Sequence, residues 1–293
     1  MPIDPQKAIG AELPSLPVSW TFSDVLLYHL ALGAGSNPGD QVDPKALRYT
    51  LENDLQVLPT FAVIAPTLHA TDAPSLDLPG CDINLAQVVH GAQEVYVAKP
   101  LPADASGLTL TRKLTDVWDK GKAAVIWQEH EARDADGELV YSTRSSIFVK
   151  GEGGFGGSRG SAETLELPDR TPDATTSYTT TPQQALLYRL CGDRNPLHAD
   201  PAFAEGAGFH APILHGLCTY GIVARLVVDA LLDGDASRMG GFAARFAGVV
   251  FPGETISVDA WDLGDRIAVN ATVGSADGGV GRPALADCVL IKR

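Results

Sequence analysis

Two stretches decide how this chain is read: Tyr188-Arg-Leu-Cys-Gly-Asp-Arg-Asn-Pro-Leu-His-Ala-Asp-Pro201, and Pro212-Ile-Leu-His-Gly216 running into the apolar segment Leu217–Leu232. The first is broken by Gly192, Asn195, Pro196 and Pro201 and cannot continue the helix before it, so Asp193, Asn195 and His198 are free to converge instead of spiralling apart. A carboxylate and an imidazole sharing one water can take a proton from it and return a proton elsewhere, with Asn195 fixing the orientation. The second stretch opens a helix at Gly216, where unpaired backbone N–H groups and the helix macrodipole favour a developing oxyanion. Taken singly, Asp193 and Asn195 read as turn caps and His198 as a satisfied loop histidine. Together they form an acid/base constellation.

Outward from this stretch the chain divides into two halves of the same order. Residues 1–150 form a first unit, with a helix over Asp24–Leu32, a buried apolar segment over Pro59–Leu68, and strand-like runs over Leu108–Trp118, Ala123–Arg133 and Glu138–Val149 set off by Asp-Lys-Gly and Asp-Gly turns. Residues 151–180, rich in Gly, Pro and Thr, read as a linker. Residues 181–293 form the second unit, in which Thr181-Pro-Gln-Gln184 starts a helix that ends at Gly192. Leu217–Leu232 is apolar on most faces, as a helix wrapped by a sheet would be. Strands are expected over Gly241–Val250, Thr255–Leu263, Arg266–Val273 and Ala284–Ile291, and Val249–Gly253 stands where Ala98–Pro102 stands in the first half. The pattern alone predicts an α+β fold of two sheet-and-helix units.

With 293 residues, 45% of them hydrophobic, the chain can bury a sizeable core, and its formal charge of −14 argues against binding nucleic acid or an anionic membrane. No basic segment leads into a signal-peptide core, no apolar run is long enough to span a bilayer, and the C-terminal Ile-Lys-Arg293 is not a Ser-Lys-Leu address. A cytoplasmic protein is expected. Cys81, Cys191, Cys218 and Cys288 show no CxxC spacing and read as packed or free thiols. Gly151–Gly156 matches GxGxxG, and Gly156–Gly160 spells GxSxG around Ser158. Neither is followed by a helical period, so a dinucleotide site and a nucleophile elbow are both set aside. His198, Asp200, His210 and His215, with Asp193, are conceivable metal ligands, but Asp200-Pro201 reads better as a helix cap and no metal is expected.

The motif Ala185–His198, with Pro212–Thr219, Ala244–Ala247, Leu58–Phe61, Val89–Gly91, Lys99–Pro102 and Gly153–Gly157, resembles the MaoC-like (R)-specific enoyl-CoA hydratases, and most closely the hydratase 2 unit of peroxisomal multifunctional enzymes. The resemblance covers nearly the whole chain. It implies a double hot-dog fold, in which two curved antiparallel sheets each wrap a central helix and join edge to edge, and it implies a homodimer. The implied reaction is reversible hydration of trans-2-enoyl-CoA to (R)-3-hydroxyacyl-CoA without a cofactor, the coenzyme A thioester being the substrate. Asp193 and His198 would hold the attacking water, Asn195 would orient them, and the Gly216 N–H would bind the thioester oxygen. Which of Asp193 and His198 gives the proton and which takes it stays open, as does the acyl group: straight chain, sterol side chain or biosynthetic intermediate. Substrate contacts are implied for His90, Gly91, Lys120, Arg194, Pro196, Leu197 and Phe246, with Lys120 on the coenzyme A portion. His90-Gly91 resembles His215-Gly216, but no Asp-x-Asn-Pro-Leu-His precedes it, so one active site per chain is expected. The chain departs from these relatives at Cys191, often Ser, and at Arg194, often aromatic. A non-catalytic acyl-CoA or acyl-carrier binding module and a hot-dog thioesterase are the competing readings.

Overall fold

The computed structural model describes residues 3–84, 87–161, 164–274 and 281–293. Ten strands form one antiparallel sheet: β1 Glu12–Trp20, β2 Val88–Val97, β3 Ala105–Asp119, β4 Ala123–Arg133, β5 Leu139–Lys150, β6 Ala174–Thr179, β7 Met239–Phe246, β8 Thr255–Asp262, β9 Arg266–Gly274 and β10 Arg282–Lys292. Their spatial order is β1-β3-β4-β5-β2-β7-β10-β9-β8-β6. Each half thus places its first strand at an outer edge and its second at the seam, where β2 pairs with β7 from Ala92 opposite Arg245 to Tyr96 opposite Gly241. The strands of the two halves share one sheet.

The helices are α1 Pro5–Ala8, α2 Phe22–Ala31, α3 Pro44–Thr50, α4 Gln184–Tyr188, α5 Pro201–Gly206 and α6 Gly216–Leu231. None is long and apolar enough to cross a membrane, among the described residues. α4 starts as its sequence demands, with the Gln184 side chain reaching back to the Thr181 N–H at 3.1 Å. α6 is buried from Cys218 to Val228 and packs on β6, β7, β8 and β10. Its apolar faces, with Val95, Val97, Phe61 and Tyr28 of the first unit, belong to one core that runs through both halves.

The units differ where the central helix belongs. The second sheet wraps α6, but the first wraps two short 3-10 turns, Pro59–Val63 and Ala65–Thr67, not the long helix that the resemblance implied for each unit. Pro66 is the physical reason, since it lacks an N–H and its ring clashes with the carbonyl four residues earlier, at Ala62. Two further expectations are corrected. The stretch read as a linker up to 180 contains β6, an edge strand paired with β8 from Ala174 opposite Ala260 to Thr179 opposite Thr255. The strand expected to reach Val250 stops at Phe246. The glycine run after β5 wraps the Asp119 carboxylate, which accepts N–H groups from Gly121 at 2.7 Å, Gly154 at 2.9 Å and Gly156 at 2.7 Å. These bonds hold the Asp119 carboxyl below its ordinary value.

Candidate active site

The loop between α4 and α5 carries the proposed acid/base residues, and its shape follows from its own sequence. Gly192 ends the turn Arg189–Cys191 in the left-handed region at φ 108. A Cβ on it would stand 1.8 Å from the Thr67 carbonyl oxygen, so the loop lies directly on the first unit and only glycine fits. Asp193 then folds over, its Oδ1 accepting the Asn195 N–H at 3.1 Å. Asn195 Oδ1 accepts the Leu197 N–H at 3.1 Å and caps the single turn Pro196–His198. Asn195 therefore orients the pair through the loop backbone. Pro196 and Leu197 build the turn that presents His198.

His198 is buried, and its Nδ1 lies 2.8 Å from the Ile213 carbonyl oxygen. A carbonyl only accepts, so Nδ1 carries the proton and the neutral ring keeps a lone pair on Nε2. Burial lowers the His198 pKa, against the opposing pull of the Asp193 charge and the Ile213 bond. The ring is a base at neutral pH. His215 lies against it, ring centroids 3.7 Å apart and planes 28° apart. Its Nε2 donates to the Asp193 carbonyl at 3.3 Å, and burial, then the neighbouring His198, lowers its pKa to about 2. Tyr188 packs against His215 with ring centroids 4.9 Å apart. The His215 Nδ1 and the Tyr188 hydroxyl are buried without a hydrogen-bond partner among the described residues. Both residues adjoin the Asp193/His198 pair, although the sequence assigned neither a catalytic role.

One carboxylate oxygen of Asp193 and one ring nitrogen each of His198 and His215 lie within 4.8 Å of one another. Two nearly parallel stacked rings keep their lone pairs in nearly parallel planes, whereas a zinc ion needs them to meet at about 2.0–2.1 Å. The other conceivable ligands are engaged elsewhere: Asp200 caps α5 through the Ala202 N–H at 2.9 Å, and the His210 ring packs on Phe251 at 4.2 Å. The stacked arrangement of the two rings does not suit a zinc ion.

Gly216 is the first residue of α6, where its N–H has no intrahelical partner. A Cβ there would come within 3.0 Å of the Phe246 ring, which in turn packs on His90 at 4.6 Å. His90 is held by burial at a pKa of about 4, and its Nε2 has no hydrogen-bond partner among the described residues. Gly91 sits where the β2–β5 register shifts, and a Cβ on it would stand 2.6 Å from Ser146 Oγ. Asp193, Asn195, His198, Gly216, His90, Gly91 and Phe246 are thus drawn together from both units. The likeness of His90-Gly91 to His215-Gly216 is one of composition only, since the first pair lies on a strand and the second starts a helix.

Two expected residues lie apart from this cluster. Lys120 donates to the Arg159 carbonyl and rests 4.9 Å above the Trp118 ring. Arg194 Nε donates to the Ala70 carbonyl at 3.4 Å, tying the catalytic loop to the segment 69–75. That segment covers a cavity of about 740 Å³, which Asp193, Asn195, Tyr188 and Leu217 line from the second unit. The first unit lines it with His90 and with Gln93, Gln128, His130, Thr143 and Ser145 of the sheet. Sequence reasoning missed these five. Their signal was present as polar residues at alternate positions, 128 and 130, 143 and 145, along strands whose remaining inward positions are apolar.

Comparison with known proteins identifies the family of the chain. The MFE-2 hydratase 2 N-terminal domain matches residues 19–151, and the MaoC like domain matches residues 163–279. Enoyl-CoA hydratase ChsH3 of Mycobacterium tuberculosis is 51% identical over 96% of this chain and 96% of its own. The full-length peroxisomal multifunctional enzyme type 2 of Drosophila melanogaster superposes with a TM-score of 0.79 at 33% identity, over 95% of this chain and 48% of that one. A Mycobacterium tuberculosis protein described as a double hotdog superposes at a TM-score of 0.58 and 10% identity, over 98% of this chain and 97% of that one. With a double hot-dog sheet, a hydratase 2 N-terminal half and a MaoC-like second half, the chain belongs to the MaoC-like dehydratases, in the branch that includes the hydratase 2 units of multifunctional enzymes.

Proposed function

We propose that the protein catalyses the reversible addition of water to a trans-2-enoyl-CoA, giving the (R)-3-hydroxyacyl-CoA, with Asp193 and His198 as its acid/base pair. The observation that carries the reading is His198, its Nδ1 held by the Ile213 carbonyl and its Nε2 without a hydrogen-bond partner among the described residues, clustered with the Asp193 carboxylate and His215 within 4.8 Å. The name of the 51% identical relative, enoyl-CoA hydratase, supports the same reaction here.

In the forward step the water oxygen bonds to C3 and one water proton passes to His198 Nε2, while the Asp193 carboxylate holds the second hydrogen. The C2–C3 π electrons move toward C2 and charge grows on the thioester oxygen. The Gly216 N–H, at the positive end of a 16-residue helix, would bind that charge, which is present in the transition state and not in the ground state. The imidazolium then returns its proton to C2, so the product gains the elements of one water and the enzyme ends unchanged. No step asks for a metal or redox cofactor. The proposal takes the enzyme to be cytoplasmic and homodimeric, the latter decided by sedimentation.

The test follows the loss of conjugated enoyl-thioester absorbance together with free thiol. Loss of absorbance without thiol release, yielding the (R) alcohol, supports hydration. Thiol release would instead make the protein a thioesterase, and saturable binding without turnover would make it a binding module.

A further inference from the structure

The inner wall of the cavity is not the apolar surface that a plain acyl chain calls for. Strand register places Gln93, Ser145 and Gln128 side by side in one row across β2, β5 and β4, and Thr143 and His130 side by side in the next. By strand spacing these rows lie roughly 7 and 14 Å along the sheet from the His90–Ile147 row that marks the reacting end. Apolar rows flank them. Ile147 and Ile126 are buried on the reacting side, and Tyr141, Ala132 and Val97 are buried beyond. A polar band therefore crosses an otherwise apolar concave face and lines the cavity.

The band retains unused hydrogen-bonding capacity. Gln93 spends its amide N–H groups on the Glu94 and Arg144 carbonyls and its side chain also meets His90, so it holds its place in the row. Gln128 donates to Ser145 Oγ at 3.2 Å, which leaves the Ser145 hydroxyl proton to give. The Thr143 hydroxyl and both His130 ring nitrogens have no hydrogen-bond partner among the described residues, although Thr143 is only 9% exposed. Leaving such groups unpaired against an apolar ligand costs more than their hydrogen bonds gain. Among the described residues no Lys or Arg lines this cavity, while Asp72 and Asp193 do, and the nearby Arg112, cross-strand neighbour of His130, is engaged by the Pro14 carbonyl, so a carboxylate at this depth would meet no unengaged cation.

We propose that the preferred substrates are enoyl-CoAs whose acyl group carries an uncharged oxygen function, a hydroxyl or an oxo group, beyond the reacting carbons, read by Thr143, Ser145 and His130. The inference rests on the hydratase reading above and assigns the substrate class of that same site. The rows exist because the first unit has no central helix to cover them.

The test compares kcat/KM for length-matched trans-2-enoyl-CoAs that are plain, hydroxylated, oxo-substituted or terminally carboxylated, in the wild type, Thr143→Val and Ser145→Ala. The expected result is a wild-type preference for the hydroxy or oxo substrate of about tenfold per hydrogen bond formed. The ratio should collapse toward one in Thr143→Val, which keeps the side-chain volume, and fall in Ser145→Ala if the first variant folds poorly. Equal or better turnover of the plain or carboxylated chain by the wild type would overturn the proposal. So would an equal loss on every substrate, crotonyl-CoA included, which would assign the rows to the pantetheine arm. Failure to hydrate any enoyl-CoA, crotonyl-CoA included, would instead defeat the hydratase reading.

Discussion

Gly192→Ala tests whether the catalytic loop is positioned by the first unit. A Cβ at Gly192 would lie 1.8 Å from the Thr67 carbonyl oxygen and 2.6 Å from its carbon, about 1.6 Å short of ordinary contact. Backbone cannot yield as the tip of a flexible side chain can, so either the turn at Thr67 or the loop bearing Asp193 must move by about that distance. A misplacement of about 1 Å costs about a hundredfold in rate when reacting groups are held by geometry, and Asp193 is the next residue. Gly208→Ala supplies the control. Gly208 has a similar left-handed φ of 87 but nothing within 4 Å of its Cβ, so it carries the backbone strain, about 1 kcal/mol, without the collision. The assay is kcat for crotonyl-CoA hydration together with thermal unfolding of both variants. Gly192→Ala should lose about a hundredfold or more in kcat and unfold well below Gly208→Ala, which should keep near wild-type turnover. If the two variants behave alike, the loop does not depend on its seat against Thr67 and the reasoning fails.

Asp193→Asn and His198→Ala should each lower kcat by about a hundredfold to ten-thousandfold with thermal unfolding little changed, and near wild-type turnover in either removes the acid/base assignment. Because burial lowers the His198 pKa, the acid limb of kcat/KM should fall below the ordinary 6.5, and a limb at or above that value would mean that another group titrates. Stability should fall in the same direction. Burial holds His29, His90 and His130 at about 4, below their ordinary 6.5, so the unfolded chain binds more protons below that pH. Their stabilisation is complete above pH 6.5 and is lost toward pH 4, at about 1.4 kcal/mol per histidine per pH unit, so an unchanged urea midpoint between pH 7 and 5 would contradict it. Lys120→Ala should weaken binding of full CoA thioesters more than of pantetheine thioesters, and equal losses would leave Lys120 as a turn residue. Residues 181–293 alone should be insoluble or inactive, because the cut exposes the β7 edge from Gly241 to Arg245 and removes Thr67; a soluble, active fragment would show the first unit to be dispensable.

The strands visible in the sequence were those with sharp turns between them. β3, β4 and β5 are separated by Asp-Lys-Gly and Asp-Gly, and all three lie where expected within a few residues. β1, β2 and β6 were not visible. β1 contains Pro14 and Pro17, tolerable because it lies at the sheet edge, and an edge position is known only once the sheet is assembled. β2 is interrupted by Gly91 at its register shift, and β6 is Thr-rich and continuous in composition with the linker before it. The catalytic loop was legible because its chemistry is local: one Asp, one Asn and one His within six residues. His215 and Tyr188 escaped assignment because they meet only through a ring contact between the end of α4 and the residue before α6, which no local spacing encodes.

The two units descend to different tasks through one local difference. In the second unit an uninterrupted α6 fills the concave face of its sheet and offers a helix N-terminus at Gly216, beside the loop that holds Asp193 and His198. In the first, Pro66 prevents a comparable helix, so there is no helix start to stabilise an oxyanion, and His90-Gly91 sits on a strand where its N–H groups belong to the sheet. The same interruption leaves the concave face of the first sheet uncovered, and the cavity occupies that space. Filling it with a helix would remove the room for an acyl group, while removing α6 would take away both the core of the second unit and the oxyanion donor. Catalysis and substrate volume therefore impose opposite demands on the one element the units would otherwise share. A single sheet built of two unlike halves meets both, with the loop that carries Asp193 seated against Thr67 of the first unit.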